Sequence, residues 1–174
     1  MQASRTLSRS GVAVATARPV LQFLAIMLIA LVAGSTFGIW RGYDPGGYSA
    51  LTFLETLQGA VGGLNVTLPL MGAGALVMTG ILAVMARRDR PVAVAYAFAF
   101  VLMAVAAVIT RFANQPINAD VVTWTPDSMP ANWTAIRDVW WHWHVVRTML
   151  SMLGLAVLVL AIMADRNRSS APSA

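Results

Sequence analysis

The 174-residue chain contains no cysteine. That excludes a disulfide framework, an iron–sulfur cluster and any thiolate metal site. It contains no lysine either: all 12 basic residues are arginine. Charge of both signs is scarce, at 11% of residues, against about 25% in soluble domains. An ordinary water-soluble enzyme does not fit that shortage. A disordered chain does not fit the 58% hydrophobic content. The net charge of +5 does not indicate a nucleic-acid partner, because the arginines sit in short clusters beside apolar runs. Zinc, di-iron and haem signatures are missing, as are a phosphate-cradling glycine loop and a nucleophile elbow. The arginine bias, with heavy alanine and valine usage, fits a GC-rich bacterial genome.

What the chain has instead is long apolar runs. A membrane helix needs roughly 20 mostly apolar residues. Four stretches meet that length, at about 20–40, 64–86, 91–110 and 145–164. Arg147 is the one charge inside any of them. The first run is too long for a cleaved leader and passes through Phe37 and Trp40 rather than ending at small residues. Arginine then sets orientation. Arg5, Arg9, Arg18, Arg87, Arg88, Arg90, Arg166 and Arg168 fall on one side with two acids. Arg41, Arg111, Arg137 and Arg147 fall on the other with five. Both termini are therefore expected in the cytoplasm and the protein in the inner or plasma membrane.

The expected fold is all-α: an integral membrane four-helix bundle with an extracytoplasmic cap of short helices and loops. One domain is expected at 18–166, between mobile tails at 1–17 and 167–174, with outer segments at 41–63 and 111–144. Gly34 and Gly38 form a small-residue pair suited to close helix approach. Gly72, Gly74 and Gly80 thin the second span, and Pro69 is placed to kink it. The composition sets no oligomeric state.

Polar chemistry concentrates in the two outer segments. Tyr48 to Gly63 reads as a short amphipathic helix carrying Glu55 and Gln58 one turn apart, with Asn65 on the same side and Gly62–Gly63 as a possible interruption. In the second segment, Pro116 is expected to stop the third helix near Asn114, leaving Asn114 and Asn118 to bracket the break. From Trp133 a striped helix begins. Trp133, Arg137, Trp140, His144, Arg147 and Ser151 lie within about 40° of one line on a helical wheel. An interfacial aromatic belt accounts for part of this, since five of the six tryptophans lie between 124 and 143. It does not account for two arginines and a histidine sharing the tryptophan face. An ionisable group at membrane depth is a functional-site candidate. His142 and His144 point about 200° apart on one helix and cannot grip one ion together. No metal site is expected from the spacing.

These residues together resemble the anthrone-oxygenase-like family of small four-helix membrane proteins. The resemblance rests on Asn114-Gln-Pro-Ile-Asn118, Trp124 and the Trp133, Arg137, Trp140, His144, Arg147 series. Gly34-Ser-Thr-Phe-Gly38 and the Glu55/Gln58 pair also fit, so it spans roughly residues 20–164. It implies O2-dependent oxidation of a hydrophobic anthrone-like or phenolic substrate, as in aromatic polyketide pathways, with no cofactor and O2 as co-substrate. The implied partners are that small molecule and membrane lipid. The implied chemistry is an enolate that reacts directly with O2. It needs a flat slot, a base and donors for an oxyanion. His144 is the expected base and Glu55 the second choice. Arg137, Arg147, Asn114 and Asn118 are the expected donors. Trp133, Trp140, Trp124 and Gln58 are expected to hold the substrate. Two alternatives stay open: a non-catalytic membrane protein holding a quinone or lipid head group, and a metal-dependent oxidoreductase using His144 and Glu55.

Overall fold

The computed structural model describes residues 9–169, with side chains described for 17–168. It is helical throughout, without a strand among the described residues. Four helices are long and apolar enough to cross a membrane. They are α1 (Arg9–Gly42), α3 (Thr67–Met85), α4 (Arg90–Ile109) and α6 (Trp133–Ser169). Two short helices, α2 (Ala50–Leu64) and α5 (Gln115–Val121), lie at one end. The long helices pack in a ring, α1 on α3, α3 on α4, α4 on α6 and α6 on α1.

Two environments explain the burial pattern. The ring interior is filled by small and medium side chains, among them Ala25, Ala75, Leu82, Ala99 and Leu158. Its outside is also apolar: Phe23, Leu70, Val77, Val94, Phe98 and Leu160 all face outward. Water would penalise such a surface, whereas hydrocarbon accepts it, provided that backbone hydrogen bonds close within each helix. Without a hydrophobic drive between helices, close contact falls to small residues. The tight ones are Gly154 and Gly74, where an added Cβ would stand 3.0 Å from Met103 Cγ and from Leu28 Cδ1 respectively. Gly34 and Gly38, expected to make such an approach, have nothing within 4 Å of an added Cβ.

Several expected boundaries shift. Residues 1–8 and 170–174 of the two expected tails lie outside the described residues, but α1 already runs from Arg9 and α6 continues to Ser169. Gly62–Gly63 do not interrupt α2, which ends only at Leu64. Pro69 does not kink α3, because it sits in the first turn, where its missing N–H has no intrahelical partner to lose. Pro116 does not stop the third rod at Asn114. A π-helical turn, Thr110–Asn114, takes up the register change and α5 follows directly, with Pro116 in its own first turn.

At the cap end, Ser49 caps α2 by accepting from the Thr52 amide at 3.2 Å. The buried face of α2, Phe53, Leu54, Leu57 and Val61, packs with Val121 and Trp140. Gln58 donates to the carbonyls of Val121 and Trp124, both at 3.0 Å, clipping α2 to the end of α5.

At the opposite, arginine-rich end, one buried carboxylate joins three helices. Asp165 of α6 pairs with Arg18 of α1 at 2.7 Å and accepts from Gln22 at 2.8 Å and Tyr96 of α4 at 3.0 Å. Removing the acid leaves a guanidinium and two polar side chains short of their acceptor. Asp165→Ala is therefore expected to cost about 3 kcal/mol, with Asp165→Asn milder. Reversible unfolding in mixed micelles measures this, and a loss under about 0.5 kcal/mol would show the cluster to be incidental.

Candidate functional site

The stripe on α6 faces the inside of the ring. Trp140 and Ser151 are buried and His144 is 0% exposed, whereas Val139 and Leu153 point outward. Arg147 is anchored on two sides. Its Nη2 donates to His144 Nδ1 at 2.9 Å, and its Nη1 to Thr110 Oγ1 at 3.3 Å. A guanidinium only donates, so Nδ1 is the acceptor nitrogen. His144 Nε2 therefore carries the proton and donates it to the Thr36 carbonyl of α1 at 3.0 Å. The imidazole packs against the rings of Trp140 and Trp141, with centroids at 5.1 and 5.6 Å. It is a neutral strut, held on both nitrogens, that orients Arg147.

A second network runs along α5. Trp140 Nε1 donates to Asn118 Oδ1 at 2.8 Å, and Asn118 Nδ2 donates to Asn65 Oδ1 at 2.8 Å. Gln115 donates to the Asn65 carbonyl at 3.2 Å, and Asn114 to the Trp140 carbonyl at 3.0 Å. The π-turn sets Asn114 and Asn118 toward α6, and both are buried. Asn114 Oδ1 and Arg147 Nε are buried without a hydrogen-bond partner. Such orphaned atoms are costly and mark places where a further partner fits.

Around these networks lie three adjacent spaces. The largest, about 460 Å³, sits inside the ring of long helices. Its walls are mostly apolar, including Ile29, Val32, Leu76 and Met103, with Arg147, Ser151, Gln115 and Asn65 as polar points. Leu70 and Ala107 line it and are exposed, so it opens sideways between α3 and α4. Beneath α2 lies a second cavity of about 420 Å³, lined by Tyr48, Phe53, Leu57 and Trp140, with Glu55 on its wall. A neck of about 40 Å³ shares lining residues with both and is walled by Asn65, Gln115, Asn118, Trp140 and Arg147.

This arrangement divides the expected site residues. Arg147, Trp140 and Asn118 meet at the neck. Asn114 lies behind them and lines none of these three spaces. His144 lines none either, and with both nitrogens engaged it is not presented as a base, nor as a metal ligand. Glu55 is exposed and shares no cavity with His144. Arg137 pairs with its neighbour Asp138 at 2.8 Å and lies over the Trp133 ring at 5.2 Å, outside the cavities. Trp133 stacks on Phe53 at 5.6 Å within the cap core, where Trp124 also packs. Gln58 serves as the clip described above. These four residues hold the roof rather than line the chamber. Among the described residues no three of His, Asp and Glu come together as metal ligands would.

Thr36, Thr110, Asn65, Gln115 and Arg111 join the site without having been expected in it. Asn65 had a signal, its shared helix side with Glu55 and Gln58, and Gln115 sits inside the Asn-Gln-Pro-Ile-Asn motif. The two threonines lie in uncharged spans, where a single hydroxyl makes no pattern.

The fold and site define a four-span helical membrane protein built around a laterally open chamber with one oriented arginine. Residues 60–157 match the family profile described as anthrone oxygenase, and the chain belongs to that family. The matched segment contains Asn65, the α5 motif, His144 and Arg147; Glu55, Gln58 and the Gly34–Gly38 turn fall outside it. No curated protein and no solved structure matches the chain.

The amide network is expected to be costly to break. Asn118→Leu strips a partner from both Trp140 Nε1 and Asn65, each loss being worth about 1–3 kcal/mol when buried. Thermal unfolding in detergent should show a clear fall in melting temperature, larger than for Arg137→Leu at the cap surface. Equal effects would mean that the neck is not a rigid element.

Proposed function

We propose that the protein is an O2-dependent oxygenase of hydrophobic aromatic substrates of the anthrone or phenolic type, working without an organic cofactor. Family membership supports the reaction class. The observation that carries the reading for this chain is the Arg147 guanidinium, fixed by a neutral imidazole at the polar end of an apolar chamber.

An anthrone has an acidic carbon between its rings. Losing one proton there gives an aromatic enolate whose charge rests largely on oxygen. In a low-dielectric chamber a preorganised guanidinium stabilises that oxyanion far more than it would in water. His144 makes the preorganisation possible, since Arg147 is aimed before the charge develops. The electron-rich carbon then adds O2 and becomes a hydroperoxide. Loss of water from the hydroperoxide leaves the second carbonyl. One oxygen atom is thus retained in the quinone, and the other leaves as water with the two hydrogens of the original CH2 group. Asn65, Gln115 and Asn118 line the neck as donors near the reacting face. The neck leads toward Glu55, which is the remaining candidate to receive the first proton now that His144 is committed to Arg147.

A greasy polycyclic substrate dissolves in the bilayer, and the gap between α3 and α4 admits it sideways. By the arginine distribution, the end with Arg87, Arg88 and Arg90 faces the cytoplasm of a bacterial inner membrane and the α2–α5 cap faces outward.

The test is conversion of an emodin-type anthrone to its quinone by the purified protein in nanodiscs, read by quinone absorbance and O2 uptake above the spontaneous rate. Arg147→Ala is expected to lower kcat about 10²-fold or more, the usual cost of removing an oxyanion donor. His144→Phe is expected to lower kcat with little change in KM, because it releases Arg147 without emptying the chamber. A wild-type rate equal to the spontaneous one, or full activity in Arg147→Ala, would overturn the reading in favour of a non-catalytic quinone- or lipid-binding role.

A further inference from the structure

The larger chamber has a second cation, and its charge is not balanced. Arg111, in the π-turn, lines the same space as Arg147 and is exposed at its edge. No carboxylate lines the chamber or the neck. The ion pairs among the described residues, Arg18–Asp165, Arg137–Asp138 and Arg168–Asp89, leave both arginines out. Arg147 bonds only neutral groups and keeps a buried Nε without a partner. Arg111 rests over the Phe112 ring at 5.8 Å. Two like charges around one apolar space cost free energy at membrane depth unless an anion answers them. A neutral polycyclic ketone would answer one of them, at its reacting oxygen, and leave the cation at the mouth unanswered.

We infer that the chamber takes a hydrophobic ligand bearing an acidic group, a carboxylate or phosphate, which Arg111 holds at the mouth while Arg147 addresses the oxygen at the far end. Arg111 is then a specificity-determining residue. Planar two-point contact with such a group suits arginine better than any other side chain. The assignment of the far oxygen rests on the oxidation proposed above; the acidic preference does not need turnover. Two sources have this chemistry: an acid-substituted aromatic substrate, or the head group of an acidic phospholipid.

The experiment uses the full chain in phosphatidylcholine nanodiscs and two non-reacting probes, anthraquinone-2-carboxylate and the neutral 2-hydroxymethylanthraquinone. Binding is read by quenching of tryptophan fluorescence, corrected for partition into empty nanodiscs. The wild type is expected to bind the carboxylate about tenfold more tightly or better, the scale of one charge-assisted hydrogen bond. Arg111→Gln should bring the two probes to about equal affinity by weakening the carboxylate alone. Repeating the titration with phosphatidylglycerol in the nanodisc separates the sources: competition with the carboxylate probe assigns the site to a lipid head group, and an unchanged affinity assigns it to the substrate. Equal affinity of the wild type for both probes, or a preference that survives Arg111→Gln, would overturn the inference. Neither probe is turned over, so a failure to oxidise anthrones would sink the oxygenase reading and leave this result standing.

Discussion

The architecture of the chamber depends on one buried contact series, from the Thr36 carbonyl through His144 to Arg147. A guanidinium at membrane depth is costly, and its cost falls when its donors find acceptors of good geometry. Neutral imidazole supplies such an acceptor on one nitrogen only if the other carries the proton. The Thr36 carbonyl enforces that tautomer from a different helix. Two side chains and a carbonyl thus fix the relation of α1 to α6 and the aim of the cation together. The rings of Trp140 and Trp141, stacked on each other as well, add packing against the imidazole.

At the opposite end of the bundle the same logic is met differently. Asp165 there gathers a guanidinium, an amide and a phenol from α1 and α4. Between the two polar clusters the ring is packed by small and medium apolar side chains, with Gly154 lying close to α4. The space that small side chains leave unfilled is the chamber itself. The helices are pinned at both ends, and the middle is left roomy.

Much of this was legible in the sequence. Four long runs with a single charge among them call for four spanning helices, because a helix satisfies its own backbone in lipid. The turn-on-turn recurrence from Trp133 to Ser151 placed Trp140, His144 and Arg147 on one inward face, as observed. Roles within that face were less legible. Periodicity says which side a residue takes and nothing about its partner. Arg137 lies on the same line as Arg147, yet it finds Asp138 next to it and stays in the cap. His144 looked like a base by its ordinary acidity, but a carbonyl 108 positions earlier in the chain claims its proton. Gln58 was on the expected side of α2, and its amide is taken up by two backbone carbonyls of the α5 end. Long-range partners of this kind carry no local spacing signal. The least legible feature was the π-turn, since Pro116 argued for a stop and the chain instead widened one turn and continued.

That widened turn makes segment length a constraint in its own right. Each residue of an α-helix advances the chain by about 100°. The π-turn holds one residue more than an α-helical turn. Losing one position between Thr110 and Asn114 is therefore the one change of length that the rod absorbs by relaxing to regular winding, with α5 nearly in place. An insertion or a second deletion has no such reserve and would swing Asn118 away from Trp140 by about 100°. Homologous chains that keep this chamber should therefore differ in length here by one residue at most.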